Sequence, residues 1–294
     1  MNRTCWYNVA GLDFSVALPE EWDAVNLLPS FKAFRRETPL GEVLFSFTVT
    51  DSLGTVCDKV LLSETTNDMG HLRLYLIYRK NYLFEISYGD GPVHSMFVSR
   101  DFKEARAYIY AEEPELRLVL TSLLRLMFAQ AALYRNAISV HASCVAFDDG
   151  CYMFLGRSGT GKSTHARLWT ESFAGCSLLN DDNPVLRVMD GTVMAYGTPW
   201  SGKTPCYINE GKPVRGIARL EQKPSNHFVP LYGIERFTAV LPSCSSIRQD
   251  MNLQDMLHET LLQIVEKVPV GVMECLPDKE AAETCRLGFE SMKI

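Results

Sequence analysis

A glycine-rich stretch near the middle of the chain has the residue types and spacing that bind phosphate. It fits the pattern of a glycine, four free residues, a second glycine, a lysine, and a serine or threonine. Glycines let the backbone approach a ligand closely, and the amides that open the following helix converge on an anion. We expect the phosphates of ATP to be held by Gly156, Ser158, Gly159, Thr160, Gly161, Lys162, Ser163 and Thr164.

Two residues of this stretch have specific expected roles. The ammonium of Lys162 is predicted to reach the β- and γ-phosphates, and the hydroxyl of Ser163 to be a ligand of Mg2+. The local setting agrees, because residues 152–155 are a short apolar run typical of a strand and residues 162–173 favour a helix. The stretch is therefore predicted to join a strand to a helix and to bind a nucleoside phosphate.

The acid pair Asp181 and Asp182 is the second chemical signal. It lies some twenty residues after the loop, at the end of an apolar run over residues 177–179. Phosphate-loop proteins keep a magnesium-holding carboxylate at such a place. Adjacent acids allow a division of roles, in which one holds the metal and the other accepts a proton from an attacking hydroxyl. The alternative is an acidic turn, because the sequence Asp-Asp-Asn-Pro also favours a turn.

His141 is the third candidate, on a predicted strand over residues 139–147. A tight turn at residues 148–150 separates this strand from the one that enters the loop, so the two are expected to pair as a hairpin. Such a hairpin would bring His141 near the phosphate end, where a histidine can act as a general acid or base. The alternative is a structural histidine on a half-buried strand.

The elements that must position these residues divide the chain into three predicted segments. Residues 1–112 show alternating apolar residues and turn signals, which predict a small β-rich module. Residues 113–136 are predicted to be a bridging helix, because apolar residues recur there at helical spacing. Residues 137–294 mix strands, helices and hairpins and are predicted to form an α/β domain with a mixed sheet.

Composition argues against several classes of function. The chain of 294 residues has a formal net charge of -6 and no dense Lys/Arg cluster, so we expect no nucleic-acid partner. Its longest apolar region is interrupted by Arg117, Arg125 and Gln130, so no membrane span is expected. The nine cysteines form no Cys-x-x-Cys pair, and the first residues lack the apolar core of a signal peptide. Reduced thiols and a cytoplasmic location are therefore expected.

The loop, the Asn-Asp-Asp sequence at residues 180–182 and His141 together resemble the catalytic domain of the HPr kinase/phosphorylase family. They are also similar to the nucleotide site of ATP-dependent phosphoenolpyruvate carboxykinases, which share that fold. The resemblance covers roughly residues 135–290. It implies a kinase that moves the γ-phosphoryl group of ATP to a serine-type hydroxyl of a peptide, protein or small molecule. By this analogy Lys162 and His141 are catalytic, Asp181 accepts the proton, Asp182 and Ser163 hold Mg2+, and a homo-oligomer is expected. The reverse assignment of the two acids stays open.

The chain also departs from that family. The family's signature loop after the acid pair carries Glu and Arg, whereas residues 197–204 contain no acid and only one charged residue, Lys203. Three arginines, Arg215, Arg219 and Arg248, could each supply positive charge, and the sequence does not select among them. Two other functions therefore stay open, a nucleotide-binding regulator without transfer activity and a phosphate-loop NTPase without a hydroxyl acceptor.

Overall fold

A computed structural model of the protein describes residues 2–67, 69–202 and 204–292, so Lys203 lies outside the described residues. The chain divides into two compact units, Met1–Ala132 and Leu133–Ile294. The helix predicted as a bridge belongs to the first unit, and the division into three segments stays a prediction. Each unit contains a mixed sheet and helices, which agrees with an α/β fold.

The first unit is built on one nine-stranded sheet in the order β3-β1-β2-β4-β9-β8-β7-β6-β5. The β2–β4 and β4–β9 pairs are parallel, and the other neighbouring pairs are antiparallel. The elements are β1 (Asn2–Val9), β2 (Leu12–Pro19), α1 (Ala24–Leu27), β3 (Arg35–Arg36), β4 (Val43–Val49), β5 (Lys59–Asn67), β6 (Gly70–Ile77), β7 (Asn81–Ser87), β8 (His94–Val98), β9 (Glu104–Tyr108) and α2 (Leu116–Ala131).

Apolar runs in this unit predict six strands, at residues 14–18, 43–49, 72–76, 83–88, 96–98 and 107–110. The first five are present as β2, β4, β6, β7 and β8. The strand predicted at residues 107–110 instead spans Glu104–Tyr108. Strand β5 was not predicted, because most of its residues are exposed on both faces and no alternation of apolar residues marks it.

The long apolar helix of the first unit is a core helix. By length and composition, the segment Leu116–Arg135 could cross a membrane, and it is the one such helix among the described residues. Within its most apolar 18-residue window 67% is buried, and Phe128 packs edge-on against Phe14 of the sheet at a centroid distance of 5.8 Å. The helix begins at Leu116, so the predicted start at residue 113 was early and Pro114 lies before the first turn.

The second unit has a sheet in the order β10-β14-β15-β16-β12-β11-β13, with β18 beside β16 and β17 beside β18. The β12–β16 and β16–β18 pairs are parallel. The elements are β10 (Ala137–Ser139), β11 (Ala142–Phe147), β12 (Gly150–Leu155), α3 (Lys162–Ser172), β13 (Ser177–Asp182), β14 (Val185–Met189), β15 (Thr192–Tyr196), β16 (Gly211–Gln222), β17 (His227–Pro230), α4 (Ile234–Val240), α5 (Met251–Lys267), β18 (Val270–Cys275) and α6 (Lys279–Ser291).

The register of three strands gathers the candidate residues at one edge of this sheet. Strand β11 pairs antiparallel with both β12 and β13. Ala142 at its start is opposite Leu155, the last residue before the loop, and also opposite Asp182. His141, the glycine-rich loop and the acid pair therefore all leave the sheet at the same edge, as the predicted hairpin requires.

The strand predicted over residues 139–147 is two strands in the structure. Strand β10 pairs with β14, whereas β11 pairs with β12 and β13. Between them, the backbone N–H of Val140 donates to Pro184 O at 3.0 Å and that of His141 donates to Ser243 O at 2.8 Å. The chain thus changes partners at His141, which places its side chain at a break in the sheet.

Helix α3, which follows the loop, is anchored by an aromatic core. Trp169 is fully buried, and its ring lies 5.4 Å from that of Phe154 and 4.7 Å from that of Tyr152. The indole N–H of Trp169 donates to Nε2 of His165 at 3.2 Å. Burial lowers the pKa of His165 to about 4, so this histidine is neutral and structural.

We expect His165 to make the protein sensitive to acid. The unfolded chain takes up a proton here near pH 6.5, whereas the folded chain does so only near pH 4, so stability falls as the pH drops between these values. The loss should approach about 3 kcal/mol in the free energy of unfolding. Urea unfolding at several pH values should show a shallower dependence for His165→Gln than for the wild type, with His227→Gln as an exposed control. Identical slopes in all three proteins would contradict the assignment.

Candidate functional site

The glycine-rich loop joins β12 to α3, as predicted. Gly159 and Gly161 have φ values of 83° and 104°, a region that L side chains rarely adopt, so glycine is required at both turns. The loop is closed on itself, because Thr160 donates to Arg157 O from its amide at 3.1 Å and from its hydroxyl at 2.6 Å. Its backbone is therefore shaped before any ligand arrives.

Lys162 lies under this loop and is only 8% exposed. Its ammonium donates to Gly156 O at 3.1 Å and Arg157 O at 3.3 Å, and lies 2.9 Å from Nε2 of His141. Burial lowers the pKa of Lys162 below its usual value, and the carboxylates of Asp182 and Asp181 act in the opposite direction. The lysine is thus held in place by neutral acceptors that an anion could replace.

Asp181 is enclosed and meets two hydroxyl groups. Its Oδ1 accepts from Ser163 Oγ at 2.8 Å and from Ser143 Oγ at 2.5 Å. The residue is 2% exposed, and its Oδ2 is buried without a hydrogen-bond partner among the described residues. An orphaned buried carboxylate oxygen commonly marks the place of a bound ion or water. The side-chain oxygens of Asp181 and Ser163 thus lie side by side, as oxygen ligands of one ion would.

Asp182 is more open and contacts His141 instead. Its Oδ1 lies 2.9 Å from Nδ1 of His141, and its Oδ2 accepts from Nδ2 of Asn183 at 2.5 Å. When Lys162 donates to Nε2 of His141, the histidine must carry its proton on Nδ1 and donate it to Asp182. Asp182 also has a φ of 131°, a strained backbone of the kind that concentrates at functional sites.

The predicted site residues therefore form two clusters at one edge of the sheet. Ser163 and Asp181 make up the first, while Lys162, His141 and Asp182 make up the second. The remaining loop residues lie between β12 and α3 or in its first turn, and they present backbone amides rather than charged side chains. Loop glycines, lysine, acids and histidine of the second unit thus come together.

Three buried polar residues of the site were not singled out from the sequence. Ser143 faces Asp181 across the sheet, and Asn180 donates to the oxygens of Thr198 and Trp200 at 3.2–3.3 Å. Thr198 donates in turn to Asn183 O at 2.8 Å. These bonds fasten the segment after β15 to the acid pair. A polar residue at the end of an apolar strand is the only sequence signal, and it marks Asn180 alone.

The acid-free stretch predicted at residues 197–204 is packed against the acid pair. The hydroxyl of Ser201 donates to Asp181 O at 3.1 Å, and the amide of Gly202 donates to the same oxygen. Trp200 is buried, so it anchors the stretch rather than lining an open pocket. The stretch therefore holds Asp181 in place through the backbone carbonyl oxygen of that residue.

Of the three candidate arginines, one lies in register with the loop. Arg219 is opposite Leu155, the last residue of β12, and donates to Ala239 O at 3.3 Å. Arg215 pairs with Asp149 at 2.5 Å, in the turn at the other end of the β11–β12 hairpin. The exposed Arg248 follows the segment that pairs with residues 139–141. This geometry excludes Arg215 from the loop end of the sheet.

No protein-family model and no curated protein sequence matches this chain. Among solved structures, it is similar to the Hpr(Ser) kinase/phosphatase from Coxiella burnetii. The match has 12% sequence identity and a TM-score of 0.31, and covers 52% of this chain and 92% of the other. The likeness is a distant structural relationship and no more.

Proposed function

We propose that the protein is an ATP-dependent phosphotransferase that moves the γ-phosphoryl group of ATP to a serine-type hydroxyl of a peptide, protein or small molecule. The observation that carries this proposal is the pair of clusters around the loop. One pairs a loop hydroxyl with a buried carboxylate, and the other pairs the loop lysine with a histidine and a second carboxylate. A simple anion-binding turn would need neither.

The residues fit a single Mg2+ ion. Among the described residues no group of three His, Cys, Asp or Glu could form a metal site by itself. Mg2+ commonly uses one or two protein oxygens and takes its other ligands from water and phosphate. Ser163 Oγ and the orphaned Oδ2 of Asp181 are suited to this role. Held by these two residues, Mg2+ would supply positive charge that neutralises the charge developing on the phosphates.

The geometry favours an exchange of the two acid roles implied by the family resemblance. Asp181 contacts the expected metal ligand Ser163 and is 2% exposed, so an acceptor hydroxyl has no access to it. The side chain of Asp182 is 16% exposed and carries the hydrogen bond to His141. We therefore assign Asp181 to the metal and Asp182 to the proton.

In the proposed reaction these residues bind, orient and accept a proton. The loop amides and Lys162 hold the phosphates, with Lys162 leaving the carbonyl oxygens it now contacts. The acceptor oxygen forms a bond to the γ-phosphorus while the bond to the bridging oxygen of ADP breaks and ADP leaves with the electron pair. The hydroxyl proton passes to Asp182, whose orientation His141 maintains.

Nucleotide binding tests the first part of the proposal. We expect Lys162→Ala to weaken MgATP binding by about tenfold to a hundredfold, because it removes charge-assisted hydrogen bonds to phosphate. Titration calorimetry on the full chain measures the change. Lys279→Ala, which removes an exposed lysine at the start of α6, should bind like the wild type. Equal binding by both variants would contradict a phosphate role for Lys162.

Turnover separates the three possible functions. The wild type should release ADP in step with labelling of an added acceptor, such as free serine or a peptide that ends in serine. Rapid ADP release without any acceptor would indicate an NTPase. Tight MgATP binding with neither labelling nor ADP release, across such acceptors, would indicate a nucleotide-binding regulator.

A further inference from the structure

The first unit contains a cavity of about 400 Å³ on one face of its sheet. This volume is near the lower end of the range for small-molecule sites, about 300–1,000 Å³. Strands β5, β7, β8 and β9 and the segment of residues 50–58, which we call the strap, supply its walls. None of the proposed phosphotransfer residues lines it.

The strap is held at both ends. At one end the amide of Thr50 donates to Ala107 O at 2.8 Å. At the other, the amide of Tyr78 donates to Asp58 O at 3.2 Å, and the amide of Cys57 donates to the Tyr78 hydroxyl at 3.3 Å. Between these points Leu53 and Val56 pack on the buried apolar cluster that includes Leu83. The strap is therefore a fixed wall that keeps the cavity open beside it.

A row of polar side chains forms the floor of the cavity. Glu85 is opposite Ser95 in the β7–β8 pair, and Ser95 is opposite Tyr108 in the β8–β9 pair. Residues opposite one another in a sheet lie side by side on the same face, so the three make a continuous polar row. Leu83, two residues before Glu85 on the same face, adds an apolar surface next to it.

The charges around this floor are balanced. Glu85 is buried, and its two oxygens accept from Lys59 at 2.9 Å and from Arg73 at 3.2 Å. Exposed Asp51 at the cavity wall is a second acid, so two acids lie around the floor beside these two cations. A charged ligand would leave one charge without a partner in a partly buried place, which is costly. A neutral ligand leaves the balance intact.

We propose that this cavity binds a small neutral polyhydroxylated ligand, of the sugar or polyol class. Each hydroxyl of such a ligand both donates and accepts, which matches the mixed lining. Lys59 keeps N–H groups beyond the one it gives Glu85, and the Glu85 carboxylate keeps acceptor sites. The Ser95 hydroxyl can both donate and accept, and the Tyr108 hydroxyl, which is hydrogen-bonded to Tyr110, keeps a further site. The C–H surface of the ligand would lie on Leu83. The site is independent of the proposed phosphotransfer reaction.

Ligand-detected NMR on the full chain tests the proposal with probes that differ in charge. D-glucose, maltose and myo-inositol are neutral, while D-glucosamine and D-gluconate carry opposite charges on a similar frame. We expect at least one neutral probe to bind with a Kd below about 10 mM, and both charged probes to bind at least about tenfold more weakly than it does. Absence of binding by every neutral probe, or equal binding by a charged one, would overturn the proposal.

Two variants locate the binding in the cavity. Ser95→Leu fills its floor, and Lys59→Met removes a donor from a half-exposed position while Arg73 still pairs with Glu85. Each should weaken the bound neutral probe by about tenfold or more, while Glu104→Gln, at an exposed position of β9 outside the cavity, should not. Melting temperatures identify any variant that fails to fold. Binding of the neutral probe by the other cavity variant then decides whether the ligand lies in the cavity. Unchanged binding in a folded variant would place the ligand elsewhere.

Discussion

Asp182→Asn is expected to lower the rate of phosphoryl transfer by about 10²–10⁴-fold, the usual contribution of a general base. Asparagine has the same shape but does not accept the proton of the attacking hydroxyl. Because its backbone preferences are close to those of aspartate, the φ of 131° at residue 182 should persist. Single-turnover labelling of an acceptor, measured beside MgATP affinity, separates chemistry from binding. The affinity should stay within about threefold of the wild type.

The matched control for this variant is Asp255→Asn, which changes an exposed acid of α5. It should transfer phosphate at the rate of the wild type. If Asp182→Asn is as active as the control, Asp182 is not the proton acceptor. If it loses MgATP affinity with no effect on the rate of bound nucleotide, Asp182 holds the metal and the assignment from the family resemblance is right.

Asp181→Asn is expected to give the opposite signature, a loss of the Mg2+ dependence of nucleotide binding. The wild type should bind ATP more tightly with Mg2+ than with a chelator, because Asp181 and Ser163 hold the ion beside the phosphates. In the variant the affinity for MgATP should fall by about a hundredfold or more, since loss of a supporting residue near a metal already costs about 10–100-fold. The affinity for ATP in chelator should be unchanged. Titration calorimetry in both conditions provides the comparison.

Ser143→Ala is the companion variant for this prediction. It removes one of the two hydroxyls that donate to Oδ1 of Asp181 but leaves the carboxylate in place. Its effect on MgATP affinity should therefore be smaller than that of Asp181→Asn. An Asp181→Asn protein that keeps the full Mg2+ dependence would show that the ion is held elsewhere.

The local parts of this protein follow from its sequence. The order of glycines, lysine and serine predicted the loop between strand β12 and helix α3, because the positive φ values and the free helix amides depend on neighbouring residues alone. Asp190-Gly191 is typical of a tight hairpin turn and joins β14 to β15. Asp278 is a typical helix N-cap, and its side chain accepts from the amide of Ala281 at the start of α6. Turns and caps are decided within a few residues.

Exposure and long-range partners limited the rest of the secondary-structure prediction. Strand β5 has no apolar face to signal it, and the single strand expected at residues 139–147 divides where the chain changes partners. Neither feature is visible in a window of neighbouring residues. Both depend on which strand lies alongside.

The roles within the acid pair depended on tertiary structure. Adjacent residues of a strand point to opposite faces of the sheet, so Asp181 and Asp182 must have different surroundings. Spacing alone does not decide which of the two acids faces which surroundings. Pairing with β11 places Ser143 opposite Asp181, and the fold encloses that carboxylate with Ser163 while leaving Asp182 beside His141. The sequence by itself determined that a glycine-rich loop with a lysine and a serine, two acids and a histidine exist in this chain. Only the register of three strands, with a contact across some forty residues, decided which acid meets the loop hydroxyl and which stays more exposed.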